Sequence, residues 1–356
     1  MNSTTMTPHS LVMTVFVTLA FCFQPPVNGR AETLYVASRG GRDTNPGTAE
    51  QPLQTLGQVA AVVNAKNARE ATTVRLRPGI YALPATVVFE NHRAYTRELR
   101  LTLEALVLPD DPHWRPELMP AILSVEDPRQ AAALDRPTQT YGLKIKMSHV
   151  TVRGLKFLGN PLFNNWYCPL ECLQTNLTDV LVTQCLFAGN PDTLDIYCGV
   201  ITDGHQFIVD HCVFVGCHAC AVFWDGDRGV VGMGNAMRYC IVDGAKISGV
   251  WTCDTDEQFA FHHNIITGSE YFWMRKRGRP KTYRVQDCVV TGNRYYSGHG
   301  VETGATGPTG PEIKFAEERV AKDLAVTLQR NRALKGYLHP LPGTPGSQLG
   351  AGLFKK

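Results

Sequence analysis

The segments Val150-TVRGLKFLG-Asn160, Val180-LVTQCLFAG-Asn190, Phe207-IVDHCVFVG-Cys217, Asn235-AMRYCIVDG-Ala245, Phe259-AFHHNIITG-Ser269 and Tyr283-RVQDCVVTG-Asn293 repeat one pattern. Apolar residues occupy the third, sixth and eighth places in nearly every copy, and Gly is tenth in all six. The sixth place reads Leu155, Cys185, Cys212, Cys240, Asn264 and Cys288, at successive offsets of 30, 27, 28, 24 and 24 residues. Short β-type apolar spacing, a fixed Gly and a period in the mid-twenties specify a parallel β-solenoid with one coil per copy. One coil cannot bury its own apolar face, but a stack with about 4.8 Å between strands can. The sixth place is then an interior ladder. There Cys acts as a small hydrophobe, and Asn264 is expected to hydrogen-bond along the stack. Cys185, Cys212, Cys240 and Cys288 are accordingly predicted to be unpaired thiols.

A second strand follows in each coil: Gly199-VITD, Ala221-VFWD, Gly249-VWTC, Tyr271-FWMR and, more weakly, Gly300-VETG. Strand alternation places Val200, Val222, Val250, Phe272 and Val301 inward. Ile201, Phe223, Trp251, Trp273 and Glu302 then point out, as do Asp203, Asp225, Cys253, Arg275 and Gly304. The predicted outer face carries an aromatic row (Phe223, Trp251, Trp273) beside Asp203, Asp225 and Arg275. Aromatic rings stack on the apolar faces of sugars, and a flat elongated face suits a long polymer. Asp203 and Asp225 fall on neighbouring coils. Carboxyls about 5 Å apart suit a retaining glycosidase, and such a pair also suits Ca²⁺. Asp203-Gly204 and Asp225-Gly226 equally read as simple turns. The run Arg275, Lys276, Arg277, Arg279, Lys281, Arg284 offers bidentate grips for uronate or sulfate, or is a solvated loop. A further outward row, Gln184, His211, Tyr239, His263 and Asp287, has acid–base groups but also the makings of a turn-stabilising ladder. Cys217-His-Ala-Cys220 has metal-knuckle spacing without the second pair that a zinc ribbon needs. No metal site is predicted from it.

The chain has 356 residues, 35 Lys+Arg and 32 Asp+Glu, a formal charge of +3, and 44% hydrophobic residues. That balance excludes a disordered tail and a basic nucleic-acid binder. Leu11 to Phe23 is a 13-residue apolar run, too short to span a bilayer and suited to the core of a secretory signal. Residues 1–31 are read as a signal peptide, the alternative being a short membrane anchor, with no other segment able to cross a membrane. Residues 32–135 are read as an N-terminal cap with the first coils, 136–304 as the repeats, and 305–356 as a C-terminal cap and tail. Ile313, Ala316, Val320, Leu324 and Leu328 have helical spacing, which predicts a C-terminal helix.

The stretch Tyr35-VASRGGRDTNPGTAEQPLQTLGQVAAVV, followed by Val74-RLRPGIY, resembles the opening of secreted right-handed parallel β-helix proteins of the pectin-lyase-like superfamily. In that group a strand leads to a Gly/Asp/Asn/Pro-Gly turn and a short helix, then to a strand ending in Pro-Gly-x-Tyr, here Pro78-Gly79-Ile80-Tyr81. Leu53, Leu56, Val59, Ala60 and Val63 share one helical face, fit to cover the open end of the solenoid. The expected fold is all-β: a right-handed parallel β-helix with an N-terminal capping helix and a C-terminal helix and tail. The superfamily includes polysaccharide lyases, glycoside hydrolases, epimerases and non-catalytic adhesins, so fold alone does not assign chemistry. The resemblance implies an exported monomer acting on a polysaccharide, expected to be acidic, by lyase or hydrolase chemistry. Asp203, Asp225 and Arg275 are the catalytic candidates, and Phe223, Trp251, Trp273, Lys276 and Arg277 the binding candidates. The alternative is a non-catalytic carbohydrate-binding or structural β-helix.

Overall fold

The computed structural model of the chain describes residues 31–67, 69–91, 95–127, 139–162, 166–174, 176–224, 231–253, 256–275, 281–300, 306–307, 313–334 and 336–355. Residues 1–30 of the expected signal segment, together with Asp225, Lys276 and Arg277, lie outside the described residues. No helix among the described residues is long and apolar enough to cross a membrane.

The strands form a 17-stranded and a 9-stranded sheet, almost wholly parallel. A representative coil contributes three strands, Thr178–Thr183, Leu186–Ala188 and Cys198–Thr202. The next contributes His205–Asp210, Val213–Val215 and Ala219–Phe223. Three ladders therefore run the length of a parallel β-helix. The first two belong to the larger sheet and meet at a corner; the third is the smaller sheet.

The repeat fixes the first two ladders. Third-place residues pair in register, Val152 with Val182, Val182 with Val209, Val209 with Met237, and Met237 with Phe261. All are buried. At the eighth place Phe157, Phe187 and Phe214 stack with ring centroids 4.9 and 4.6 Å apart. At the sixth place Cys185, Cys212, Cys240 and Cys288 are buried free thiols. Burial raises the pKa of Cys185 and Cys212 well above the ordinary thiol value and that of Cys288 to about 12, which makes these thiols poor nucleophiles. Asn264 bridges coils as expected: its Nδ2 donates to the Met237 carbonyl at 2.8 Å, and its Oδ1 accepts from Cys240 N at 2.8 Å.

The corner between the first two ladders is the fifth place. Gly154, Gln184, His211, Tyr239, His263, Asp287 and Arg319 all have left-handed φ there, between 50° and 72°. For a non-glycine residue this conformation costs about 1–2 kcal/mol. It aims each N–H at the neighbouring coil: Gln184 N bonds Asp210 O, His211 N bonds Arg238 O, and Tyr239 N bonds His262 O, at 3.1–3.2 Å. The side chains stack outside the corner, His211 on Tyr239 and Tyr239 on His263, each at 4.7 Å. At the tenth place Gly159 passes so close to the next loop that a Cβ would sit 1.9 Å from the Leu194 carbonyl oxygen.

Both ends are covered. The helix Leu56–Asn64 starts at Thr55, whose hydroxyl accepts from Gln58 N, and it buries Leu56, Val59, Ala60 and Val63. Asp43 anchors the start by accepting from Gln54 N, Thr55 N and the Thr55 hydroxyl. The C-terminal end departs from the predicted helix. Ile313–Ala321 is a strand that pairs in parallel with Lys281–Thr291, Val320 opposite Cys288. The last coil offers an unpaired edge, and pairing satisfies it while Ile313, Phe315 and Val320 pack against the core. The described residues beyond it form a helix-free strap across the outer face of the second ladder. Leu328, Leu338 and Leu353 cover the seventh-place row Leu186, Val213, Ile241, Ile265 and Val289. Gly352 N bonds the Tyr239 carbonyl and Gln184 Nε2 bonds the Leu353 carbonyl, both at 2.8 Å. Substituting Leu353→Ala is expected to cost about 2–5 kcal/mol, against under about 0.5 kcal/mol for Leu334→Ala at an exposed position. Urea denaturation of the two variants checks this.

Candidate functional site

The third ladder does not alternate strictly. Cys198 and Ile201, Ala219 and Val222, and Tyr271 and Met274 belong to an apolar cluster on the outer face. The intervening pairs Cys220–Ala221 and Phe272–Trp273 both belong to the core. Each strand thus bends where two successive residues point inward, and the pairing skips that place: Cys198 opposes Ala219 and then Val200 opposes Ala221. Gly199 permits the bend, since a Cβ there would lie 2.6 Å from the Cys220 carbonyl oxygen.

The bend corrects the predicted outer row. Lys144, Glu171, Ile201, Val222, Trp251 and Met274 are cross-strand neighbours on the outer face. Thr202, Phe223, Thr252 and Arg275 form the next row, which faces the core. Trp251 is therefore outward as predicted, whereas Phe223, Trp273 and Arg275 are interior. Phe223 packs edge-on against Phe259 at 4.7 Å. Trp273 stacks on Tyr283 at 4.9 Å and donates to Thr252 Oγ1 at 2.9 Å. Arg275 has no exposed surface, and its Nε donates to the Cys253 carbonyl at 3.1 Å. None of the three is placed to touch a polymer outside the solenoid. Asp203, two residues after Ile201, is 4% exposed.

Above the outer row lies a small cleft of about 40 Å³. Ile201 and Val222 floor it. Trp166 and Tyr197 form one aromatic pair, 5.4 Å apart and inclined at 38°; Trp224 and Trp251 form another, 6.0 Å apart and nearly perpendicular. The first pair extends along the solenoid axis to Tyr141 on one side and His218 on the other, at 6.2 and 5.6 Å. His218 Nε2 lies 3.0 Å from Asp195 Oδ1. Trp251 is 3% exposed, and its indole N–H is buried without a hydrogen-bond partner.

Glu171 is the group that sequence reasoning missed. It sits on Trp166–Cys172, directly beside Ile201 of the cleft floor, and is 3% exposed. Its Oε1 accepts from Leu173 N at 3.3 Å. Its Oε2 lies 3.6 Å from Lys144 Nζ and accepts no hydrogen bond. Lys144 also sits 4.3 Å from the centre of the Tyr141 ring. Burial dominates, and the nearby Asp203 charge adds to it, so the Glu171 pKa is raised to about 7 despite the ammonium. A lone carboxylate inside an apolar strand was the available signal. The strands Gln139–Ile145 and Trp166–Cys172 precede the second-strand copies that the repeat made recognisable.

The remaining candidates separate from this site. Gln184, His211, Tyr239, His263 and Asp287 do form one outward row, but it is the left-handed corner, partly roofed by the C-terminal strap. Asp287 there is ion-paired with Arg319, which holds its carboxyl below the usual range. Cys217 and Cys220 face the core while His218 faces out, so the knuckle spacing brings no ligands together. Among the described residues no three His, Cys, Asp or Glu side chains converge to hold a metal ion.

The site thus belongs to a parallel β-helix with an aromatic cleft on its third ladder. No family model matches the chain, and no curated protein matches it in sequence. Similar solved structures include a rhamnogalacturonan lyase, 14% identical over 82% of this chain and 68% of that one, with a TM-score of 0.48. A GH136 lacto-N-biosidase from Eubacterium ramulus is 11% identical over 83% and 68% (TM-score 0.41). A pectin methylesterase from Aspergillus niger is 12% identical over 85% and 93% (TM-score 0.45). At these values the likeness concerns fold and not chemistry.

Two measurements check the geometry. Trp273→Ala is expected to cost about 3–5 kcal/mol as an interior truncation, read by denaturant unfolding; an outward Trp273 would leave stability almost unchanged. Glu171 has a folded pKa above its unfolded value. Its favourable contribution is therefore complete below about pH 4.5 and lost as pH rises through about 7. Relative to the wild type, Glu171→Gln should gain stability over that window, by up to roughly 3 kcal/mol at pH 8. Unfolding curves at pH 4 and pH 8 test the sign.

Proposed function

We propose that the chain is an exported, monomeric glycoside hydrolase that binds a polysaccharide along the outer face of the third ladder, over the aromatic cleft. The observation that carries this reading is Glu171, a buried carboxyl whose pKa is raised to about 7, so that it still holds its proton in part at neutral pH, beside an aromatic cleft. A general acid must hold its proton at the working pH and sit where the reacting bond is bound. Glu171 would protonate the glycosidic oxygen, and water would take up the anomeric carbon. The lost proton returns to Glu171 from that water by way of solvent or a second carboxylate. Asp203 is the candidate second carboxylate, because its charge is felt at Glu171 and a pair of carboxyls supplies the usual acid and base of such enzymes. Aromatic faces supply stacking surface for sugar rings.

A lyase reading drew on Arg275 and the basic run after it. Arg275 is interior, and Lys144, the cation of the outer row, sits against Glu171, so acid-assisted hydrolysis is the better supported chemistry.

The test is the appearance of new reducing ends from a glycan panel, without unsaturated-uronate absorbance. Glu171→Gln should lower kcat by about a hundredfold or more. The wild-type rate should fall as pH rises through about 7, as the acid loses its proton. Retention of a glycan with no turnover by the wild type would make this a binding module; neither retention nor turnover would leave a structural solenoid.

A further inference from the structure

A larger hollow lies on a different face of the solenoid, outside the first ladder. It holds about 370 Å³ and is walled by Glu257, Gln258, Ala260, His262, Arg284 and Gln286. Sites for small molecules begin at about 300 Å³, so one sugar ring has room here. Two features of the chain open it. The strand Ala260–His262 pairs along its whole length with Ala236–Arg238, but on its other side only His262 pairs, with Gln286. Thr282 N turns instead to the Glu257 carboxylate, at 3.4 Å. The outward second place of the repeat then reads Ala236, Ala260 and Arg284, with Ala316 opposite Arg284, so one long side chain is set among short ones. The polar walls are reachable: Arg284, Glu257 and Gln258 are exposed, and His262 and Gln286 are half-buried. Arg284 has no ion-pair or side-chain hydrogen-bond partner among the described residues. The charged neighbours are engaged elsewhere, Arg238 with Asp210 and Arg319 with Asp287. Burial first, then the charges of His263 and Arg238, hold the His262 pKa below its ordinary value, so that ring is neutral near pH 7. Its Nδ1 lies 3.0 Å from His263 Nδ1, which leaves Nε2 for a ligand. The walls therefore carry one cation, Arg284, and one carboxylate, Glu257.

We propose that this hollow is a second carbohydrate-binding site, which takes one uncharged sugar unit by its hydroxyls. A guanidinium only donates hydrogen bonds, a carboxylate only accepts them, and a side-chain amide does both. A hydroxyl also does both, so the adjacent hydroxyls of one ring are the complement of Arg284, Glu257, Gln258 and Gln286 together. An anion gains at Arg284 and loses at Glu257, and a cation does the reverse. The site sits on the first ladder and Glu171 on the third, so it holds a glycan without acting on it. It goes beyond the hydrolase reading and does not depend on Glu171.

The experiment uses the full chain, with binding read by calorimetry and by saturation-transfer NMR of the ligand. The probes are glucose, galactose, xylose and N-acetylglucosamine (uncharged), galacturonate and inorganic phosphate (anionic) and glucosamine (cationic). At least one uncharged sugar should bind more tightly than every charged probe. Arg284→Ala, at an exposed position without partners, should weaken that binding about tenfold or more. Ala260→Leu, which fills the hollow with a larger side chain, should abolish it. If no uncharged sugar shows binding that Arg284→Ala weakens, or if a charged probe binds more tightly than every uncharged one, the proposal is overturned. Arg284→Ala decides this even if Ala260→Leu fails to fold. Failure of the hydrolase reading is distinguishable. Sugar binding that is lost in Arg284→Ala, in a wild type that cleaves no glycan, defeats catalysis and leaves this site standing. Cleavage that is lost in Glu171→Gln, with no sugar binding sensitive to Arg284→Ala, does the reverse.

Discussion

Every coil of this protein gives its backbone hydrogen bonds to the next, and that parallel pairing fixes what stands beside what. A residue's neighbours along the solenoid axis are its counterparts one coil away, about 4.8 Å distant. The left-handed corner shows how strictly the rule acts. Six non-glycine residues from Gln184 to Arg319 adopt a costly backbone conformation, and in Gln184, His211, Tyr239 and His263 it carries the N–H to a carbonyl of the adjacent coil. Interior chemistry follows from the same rule: phenylalanine stacks on phenylalanine, cysteine lies over cysteine, and Asn264 ties two coils through its amide.

The rule also explains what could be read in the sequence. The first two ladders were legible because strand, corner and strand occupy a fixed stretch of eleven residues, with Gly last but one. The helix Leu56–Asn64 was legible from its apolar face and the turn before it. The third ladder was not, for two physical reasons. The loops that lead into it differ in length from coil to coil, so its register cannot be counted from the repeat. Its bend then turns two successive residues inward, which defeats alternation. Trp251 survived both errors; Phe223, Trp273 and Arg275 did not. Ile313–Ala321 failed differently: local spacing favoured a helix, but the open edge of the last coil favoured a strand.

The site arises from the place where regularity is weakest. Outside the third ladder the chain presents rings rather than charges, and the strand Trp166–Cys172 inserts one carboxylate among them. In water Glu171 would be ionised at neutral pH. Desolvation by its surroundings, with Asp203 nearby, outweighs the help from Lys144 and raises its pKa to about 7. The same dry surroundings leave the Trp251 indole N–H buried without a hydrogen-bond partner. Acid, walls and donor are therefore consequences of one environment.

The most direct measurement of that environment is the titration of the Glu171 side-chain carboxyl by carbon-detected NMR, assigned by difference from Glu171→Gln. A midpoint near pH 7 is expected from a carboxyl buried beside the cleft. A midpoint at the ordinary glutamate value near 4.3 would place Glu171 in water, and would contradict both the register of the third ladder and the acid assigned to it.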